Sequence, residues 1–131
     1  MRIYVAGPMR GYVNWNFAAF DRAVDMLERQ GHTAISPAAL DRVLGRRPDD
    51  SREATDPYFM RHCLALDTLV ITQECDALAV LPGWMDSLGA QAEVALALAI
   101  KLPIYHANQF TANGRLREIN ITGYLKEAPS S

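Results

Sequence analysis

A chain of 131 residues and 14.5 kDa holds one domain and leaves no room for a (β/α)8 barrel, which takes roughly 250 residues. Hydrophobic residues make up 50% and charged residues 21%, which argues against a disordered chain. A net charge of −2 argues against a strongly basic face for duplex nucleic acid, and the two cysteines, Cys63 and Cys75, argue against a disulfide scaffold or a Cys-only zinc site.

The opening run Met1–Ala6 is apolar, but Gly7-Pro8 ends it too soon for a signal peptide. The longest apolar stretch lies between Glu93 and Lys101, far short of about 20 residues for a membrane span. The expectation is a single domain over 1–131, soluble and cytoplasmic, with reduced thiols and no membrane partner. Arg2–Ala6 reads as a short buried strand, stopped by the glycine-bounded loop Gly7-Pro8-Met9-Arg10-Gly11. A helix is predicted from about Asn16 to Gln30, with Phe17, Phe20, Val24 and Leu27 on one stripe. Asn14 or Asn16 is the expected cap, and Gly31 stands where a left-handed residue should close the helix.

His32–Ser36 reads as a second strand and Ala38–Leu44 as a short helix. Gly45–Pro57 is a long polar loop containing Arg46. Tyr58–Gln73 reads as a second long helix, and Asp76–Leu81 as a third strand buried on both faces. After the loop Pro82–Asp86 come a third long helix, Ser87–Lys101, and a fourth strand, Pro103–His106. The last quarter is less readable, with Pro129-Ser130-Ser131 a frayed tail. Strands alternating with helices predict an α/β fold: a Rossmann-like (flavodoxin-like) three-layer sandwich with a central parallel sheet and crossover helices. The loops at Gly7 and Gly83 both follow strands, so both should open on the ligand-binding edge of the sheet.

That edge collects the chemistry. Ser87 suits an N-cap, and Gly89 at the helix mouth lets a ligand approach free amides where the dipole favours an anion. Glu93 is the only charge between Asp86 and Lys101. It is either a rim glutamate satisfied by a nearby hydroxyl or a functional carboxylate, because a charge in such a helix is costly to bury. Asp67, between Leu64, Leu66, Leu69 and Val70, is likewise either a surface residue of an amphipathic helix or a second working carboxylate. Asp86 reads as a supplementary cap or a sugar contact, and Arg10 as a solvated loop arginine or a phosphate partner. Two carboxylates near an anion-binding helix mouth fit work on a glycosidic bond. His32, His62 and His106 have no metal-ligand spacing, so no metal and no cofactor are expected.

The segments Ile3–Gly11 with Asn16-Phe17 and Phe20, Asp67 with Cys75-Asp76-Ala77, and Pro82-Gly83-Trp84 with Ser87-x-Gly89-x-x-x-Glu93 resemble the nucleoside 2-deoxyribosyltransferase superfamily over about Ile3–Tyr105. The resemblance is closest to its small branch with a Gly-Pro-Met start and a Pro-Gly-Trp loop. The superfamily also includes nucleoside 5′-monophosphate N-glycosidases, whose Ser-x-Gly-x-x-x-Glu and Arg-Gly are matched by Ser87, Gly89, Glu93 and Arg10-Gly11. The resemblance implies Glu93 as the nucleophile at the anomeric carbon, Tyr4 as its orienting residue and Asp67 as the assistant at the base. It further implies Ser87 and Gly89 as phosphate ligands and the Gly7–Gly11 loop, with Met9 and Arg10, around the base. Members are oligomers, usually dimers, whose neighbour completes the site; Asn113, Asn120 and Tyr124 are candidates for that contribution. Transferases acting on free nucleosides carry an aspartate where this chain has Ser87, while Asp86 stands seven residues before Glu93. The Pro-Gly-Trp insert and Met9 also depart from the better-studied members.

The function expected from this resemblance is cleavage of the base–sugar bond of a nucleoside 5′-monophosphate through a covalent intermediate on Glu93. A base-exchanging nucleoside deoxyribosyltransferase and a non-catalytic nucleotide-binding module are the alternatives. The partners implied are a small-molecule nucleotide or nucleoside and a second copy of the chain.

Overall fold

The computed structural model describes residues 1–46 and 56–119. Its elements are β1 (Arg2–Ala6), α1 (Phe17–Arg29), β2 (Thr33–Ile35), α2 (Pro37–Val43), α3 (Phe59–Glu74), β3 (Ala77–Val80), α4 (Leu88–Ala99), β4 (Ile104–Phe110) and β5 (Leu116–Glu118). Short 3-10 turns at Val13–Asn16 and Trp84–Asp86 precede α1 and α4. The sheet order is β2-β1-β3-β4-β5, with β1 to β4 parallel and β5 antiparallel to β4. The α/β class and the mostly parallel sheet are those the sequence predicts, and the arrangement suits a three-layer, Rossmann-like sandwich.

Strand alternation sorts the core into two layers. Ile3 and Val5 of β1 and Ala77 and Ala79 of β3 pack with Phe20 and Leu27 of α1. Tyr4, Ala6, Leu78 and Val80 point the other way, onto Ile71 of α3 and Ala90, Val94 and Ala97 of α4. Both faces of β1 and β3 are covered, which explains their unbroken apolar runs. Tyr4 is the one residue of the buried stretch Ile3–Ala6 with a polar side-chain atom, and its parity turns it toward the helices that carry Asp67 and Glu93.

Three helices end alike. After α1, the Gly31 N–H donates to Glu28 O and the His32 N–H to Leu27 O. After α2, Gly45 N donates to Arg42 O and Arg46 N to Asp41 O; after α4, Lys101 N donates to Leu98 O and Leu102 N to Ala97 O. Gly31, Gly45 and Lys101 all have positive φ, so each closure is the left-handed cap that satisfies the last carbonyls. Gly31 thus takes the place expected of it.

The structure departs from the sequence reading at two places. Neither asparagine caps α1 through its side chain: Asn14, Trp15 and Asn16 are all left-handed, and Asn16 Nδ2 instead donates to Pro8 O at 2.9 Å. The fourth strand runs past His106 to Phe110, because a turn at Thr111–Arg115 folds β5 back onto it. Most of the loop over 45–57, together with Asn120, Tyr124 and the tail at 129–131, lies outside the described residues.

Candidate active site

In this strand order β1 lies between β2 and β3, and the crossovers leave β1 in opposite directions. Its carboxyl end is therefore the switch point at which such sheets bind ligands. The two glycine loops meet there. A Cβ on Gly7 would stand 2.7 Å from the Leu81 Cβ, and one on Gly83 would stand 3.0 Å from the Tyr12 hydroxyl. Gly83 also has a φ of +85°. Close approach is what these positions require. Trp84 of the Pro-Gly-Trp loop turns inward and joins the core beside Tyr4.

A cleft of about 590 Å³ opens at this edge, within the ordinary range for small-ligand sites. Of the residues singled out from sequence, Gly7, Met9, Arg10, Gly11, Asp67, Ser87, Gly89 and Glu93 line it, as does Asp86. Tyr4 lies fully buried beneath it. Asn113 falls in the β4–β5 turn and is exposed, and it does not line the cleft.

The centre of the cleft is a polar cluster with unmet hydrogen bonds. Glu93 is only 5% exposed. Its Oε2, Asp67 Oδ1 and the Tyr4 hydroxyl are buried without a hydrogen-bond partner. Burial pushes Glu93 up to about 8, with the Tyr4 hydroxyl opposing the rise and the Asp67 charge adding to it. Burial likewise pushes Asp67 up to about 7; the Asp41 charge adds to the rise, while Arg46 and the Tyr4 hydroxyl oppose it. Desolvation and both neighbouring carboxylates raise the Tyr4 phenol well above its ordinary value. The hydroxyl stands beside both carboxyls and favours their ionised forms, yet it closes a well-formed hydrogen bond with neither. Orphaned buried groups of this kind cost stability, and functional sites are where such costs concentrate.

At the mouth of α4 the Ser87 Oγ accepts from Ala90 N at 3.2 Å, so Ser87 is the N-cap its position suggests. Its hydroxyl proton is not used by the cap. The first-turn N–H groups of Leu88 and Gly89 have no carbonyl of their own helix to bond. The space over Gly89 is open, with nothing beyond its chain neighbours and its own helix backbone within 4 Å of where a Cβ would sit. Across the cleft the Arg10 guanidinium contacts the Met60 sulfur.

Two groups of lining residues escaped the sequence reading. Phe59, Met60, Cys63 and Leu64 flank Asp67 on one face of α3 and form an apolar wall. Asp41 at the end of α2 also lines the cleft, held by Arg46, whose Nε donates to Asp41 Oδ1 at 2.7 Å. Both side chains are buried. Burial raises Asp41 against the opposing pull of Arg46. Among the described residues no group of three or more His, Cys, Asp or Glu is placed to hold a metal ion, and no helix is long and apolar enough to cross a membrane.

Comparison with known proteins gives one match. The model of a family described as a domain of unknown function (DUF4406) matches residues 1–106, a span that contains every residue of the cleft described above. No curated protein and no solved structure matches the chain.

Proposed function

The chain belongs to the DUF4406 family, whose description carries no activity, and we propose from the site itself that it is an N-glycosidase of nucleoside 5′-monophosphates. The observation that carries the reading is the cluster of Tyr4, Asp67 and Glu93: three buried polar groups with unmet hydrogen bonds, at the floor of a nucleotide-sized cleft. The mouth of α4 supports the choice of a phosphorylated substrate. The Ser87 hydroxyl proton and the Leu88 and Gly89 amides offer donors to an anion, at the positive end of the helix dipole.

In this reading an ionised Glu93 oxygen attacks C1′ of the sugar. The C1′–N bond breaks as the C1′–O bond to Glu93 forms, and protonated Asp67 gives its proton to the departing base. Water then attacks C1′ and passes a proton to Asp67. Glu93 leaves as carboxylate, and the products are the free base and the sugar 5-phosphate. Tyr4 orients Glu93 and offers its hydroxyl as a donor to the carboxylate form. The chain's own residues supply nucleophile and proton, so turnover is expected to survive EDTA. Raised carboxyl pKa values make a singly protonated pair available near neutral pH. Because Glu93 is raised above Asp67, the form the first step needs, with Glu93 ionised and the proton on Asp67, is the minor arrangement of that pair. The reading also takes the protein to act in the cytoplasm, where Cys63 and Cys75 stay as free thiols, and to work as a homo-oligomer.

The test is incubation with a panel of nucleosides and their 5′-monophosphates, with and without an acceptor base, followed by mass spectrometry of the acid-quenched protein. A sugar-phosphate adduct on Glu93 and release of base without acceptor are expected. Turnover that requires an acceptor base, or that prefers unphosphorylated nucleosides, makes the protein a deoxyribosyltransferase. Binding without turnover makes it a nucleotide-binding module.

A further inference from the structure

The Asp41–Arg46 pair has no part in the chemistry above, yet its construction is specific. Gly45, with a φ of +72°, closes α2 with a left-handed cap, and Arg46 N donates to Asp41 O at 2.8 Å. That cap lays the side chain after the glycine against the one five positions earlier. Here the two are an arginine and an aspartate, joined at 2.7 Å with both side chains more than nine-tenths buried. A buried pair of this kind is a poor way to gain stability compared with apolar packing. One aspartate oxygen is consumed by Arg46 Nε. The other, Oδ2, has no partner among the described residues and is not among the sealed, unpartnered atoms, and Asp41 lines the cleft. The pair therefore holds one carboxylate oxygen open to the cleft in a fixed direction.

Its place along the cleft is set by the sheet. α2 follows β2 and α4 follows β3, on opposite sides of β1. Two strand spacings, about 10 Å, separate those ends. Asp41 acts on Asp67 and Tyr4, whereas the charge acting on Glu93 is that of Asp67. The order across the cleft is thus helix mouth, Glu93, Asp67, Asp41. With phosphate at the helix mouth and C1′ at Glu93, Asp41 stands on the side of the base.

Resting on the glycosidase reading, we propose that Asp41, fixed by Arg46, is the residue that selects the base: its free oxygen accepts a hydrogen bond from an exocyclic amino group. The substrates are then nucleotides of amino-bearing bases. A carboxylate accepts only, so an oxo group at the same position meets repulsion and leaves the carboxylate oxygen without a hydrogen-bond partner, the kind of mismatch that discriminates most strongly.

The experiment compares kcat/KM for amino and oxo partners, the monophosphates of cytosine against uracil and of adenine against hypoxanthine, in the wild type and in Asp41→Asn. An amide offers a donor, so the amino preference is expected to fall at least tenfold, towards the oxo partner, in Asp41→Asn. Because Asp41→Asn strands a buried guanidinium, the double variant Asp41→Asn/Arg46→Met is measured beside it, with folding checked by thermal melt. An amino-to-oxo ratio unchanged in both variants overturns the proposal while leaving the glycosidase reading intact, and so does a change confined to the ribose-to-deoxyribose ratio. Failure of the wild type to cleave any monophosphate overturns both.

Discussion

Glu93 is a carboxyl placed where a carboxylate is unwelcome, and two consequences can be measured. Its proton is held up to about 8 in the fold, against an ordinary value near 4.5. As pH rises from about 4.5 to 8, the unfolded chain releases that proton while the native state keeps it, so stability present below 4.5 is lost across that window. Glu93→Gln is therefore expected to melt several degrees higher than the wild type at pH 8, with no difference at pH 4, and to lose turnover at every pH. Retention of more than a tenth of the activity would remove Glu93 as the nucleophile. The pair with Asp67 governs the rate profile. Interacting carboxyls titrate as a unit, so kcat/KM is expected to be bell-shaped, with limbs near 7 and 8 and a maximum between them. In Asp67→Asn the alkaline limb should vanish and a single rise should remain, set by Glu93 alone and lying above the wild-type acid limb, because that limb is the first proton lost by the pair; a profile unchanged in shape would dismiss Asp67 as the acid. Both carboxyls were legible in the sequence for one physical reason, the cost of a charge within an apolar helix. Asp41 and Arg46 were not, since one sat in a short helix and the other in what reads as a polar loop. The signal was Gly45: a left-handed glycine after a helix fixes which two side chains must meet across it.

Elements whose sequence obeys a single period came through, and those set by contacts elsewhere did not. β1 matches its expected span residue for residue, and α4 starts at the serine cap the sequence marks. β5 has three residues, one of them buried, and only pairing with β4 defines it; nothing local in Leu116-Arg117-Glu118 announces a strand. The start of α1 misled for a related reason, because the Asn16 side chain is drawn to the Pro8 carbonyl, tying the first loop to the helix rather than capping it. Ser87 carries two duties within one element, and they separate experimentally. Ser87→Ala removes the cap from α4 and should cost about 1 kcal/mol of stability. If the same hydroxyl also donates to a phosphate remote from the breaking bond, KM for a monophosphate should rise well beyond any fall in kcat, while the free nucleoside keeps its KM. Equal shifts for nucleoside and nucleotide would leave Ser87 a cap alone.

At the scale of the molecule the sheet is shielded, but one of its helical layers is not finished. α3 and α4 pack side by side over Tyr4, Ala6, Leu78 and Val80. Their inner faces are accounted for by that core, and Glu93 and Asp67, the only acidic groups between Arg61 and Glu74 on one helix and along the whole of the other, are turned into the cleft. Exposed at mid-helix are Ala65, Leu69 and Thr72 on α3 with Ala95 and Ala99 on α4, all uncharged, and Leu88 at the mouth of α4 is exposed where it borders the cleft. The exposed charges of α3, Arg61 and Glu74, stand towards its two ends, and His62, Gln73 and Gln91 are exposed as well. Leu88 is 83% exposed and Leu69 48%. Solvent-facing helices are ordinarily charged on the outer face, and small residues such as Ala65, Ala95 and Ala99 permit close helix approach. A second copy, applied by a two-fold axis, would cover this surface with itself, because an isologous contact asks only that a patch be complementary to its own image. The chain is therefore expected to run as a dimer by light scattering at micromolar concentration. Placing a charge at the centre of each outer face, in the double variant Leu69→Lys/Ala95→Lys, should yield monomers that melt at lower temperature but keep the native circular dichroism. A wild type that scatters as a monomer at these concentrations would show that the α3–α4 face stands in water.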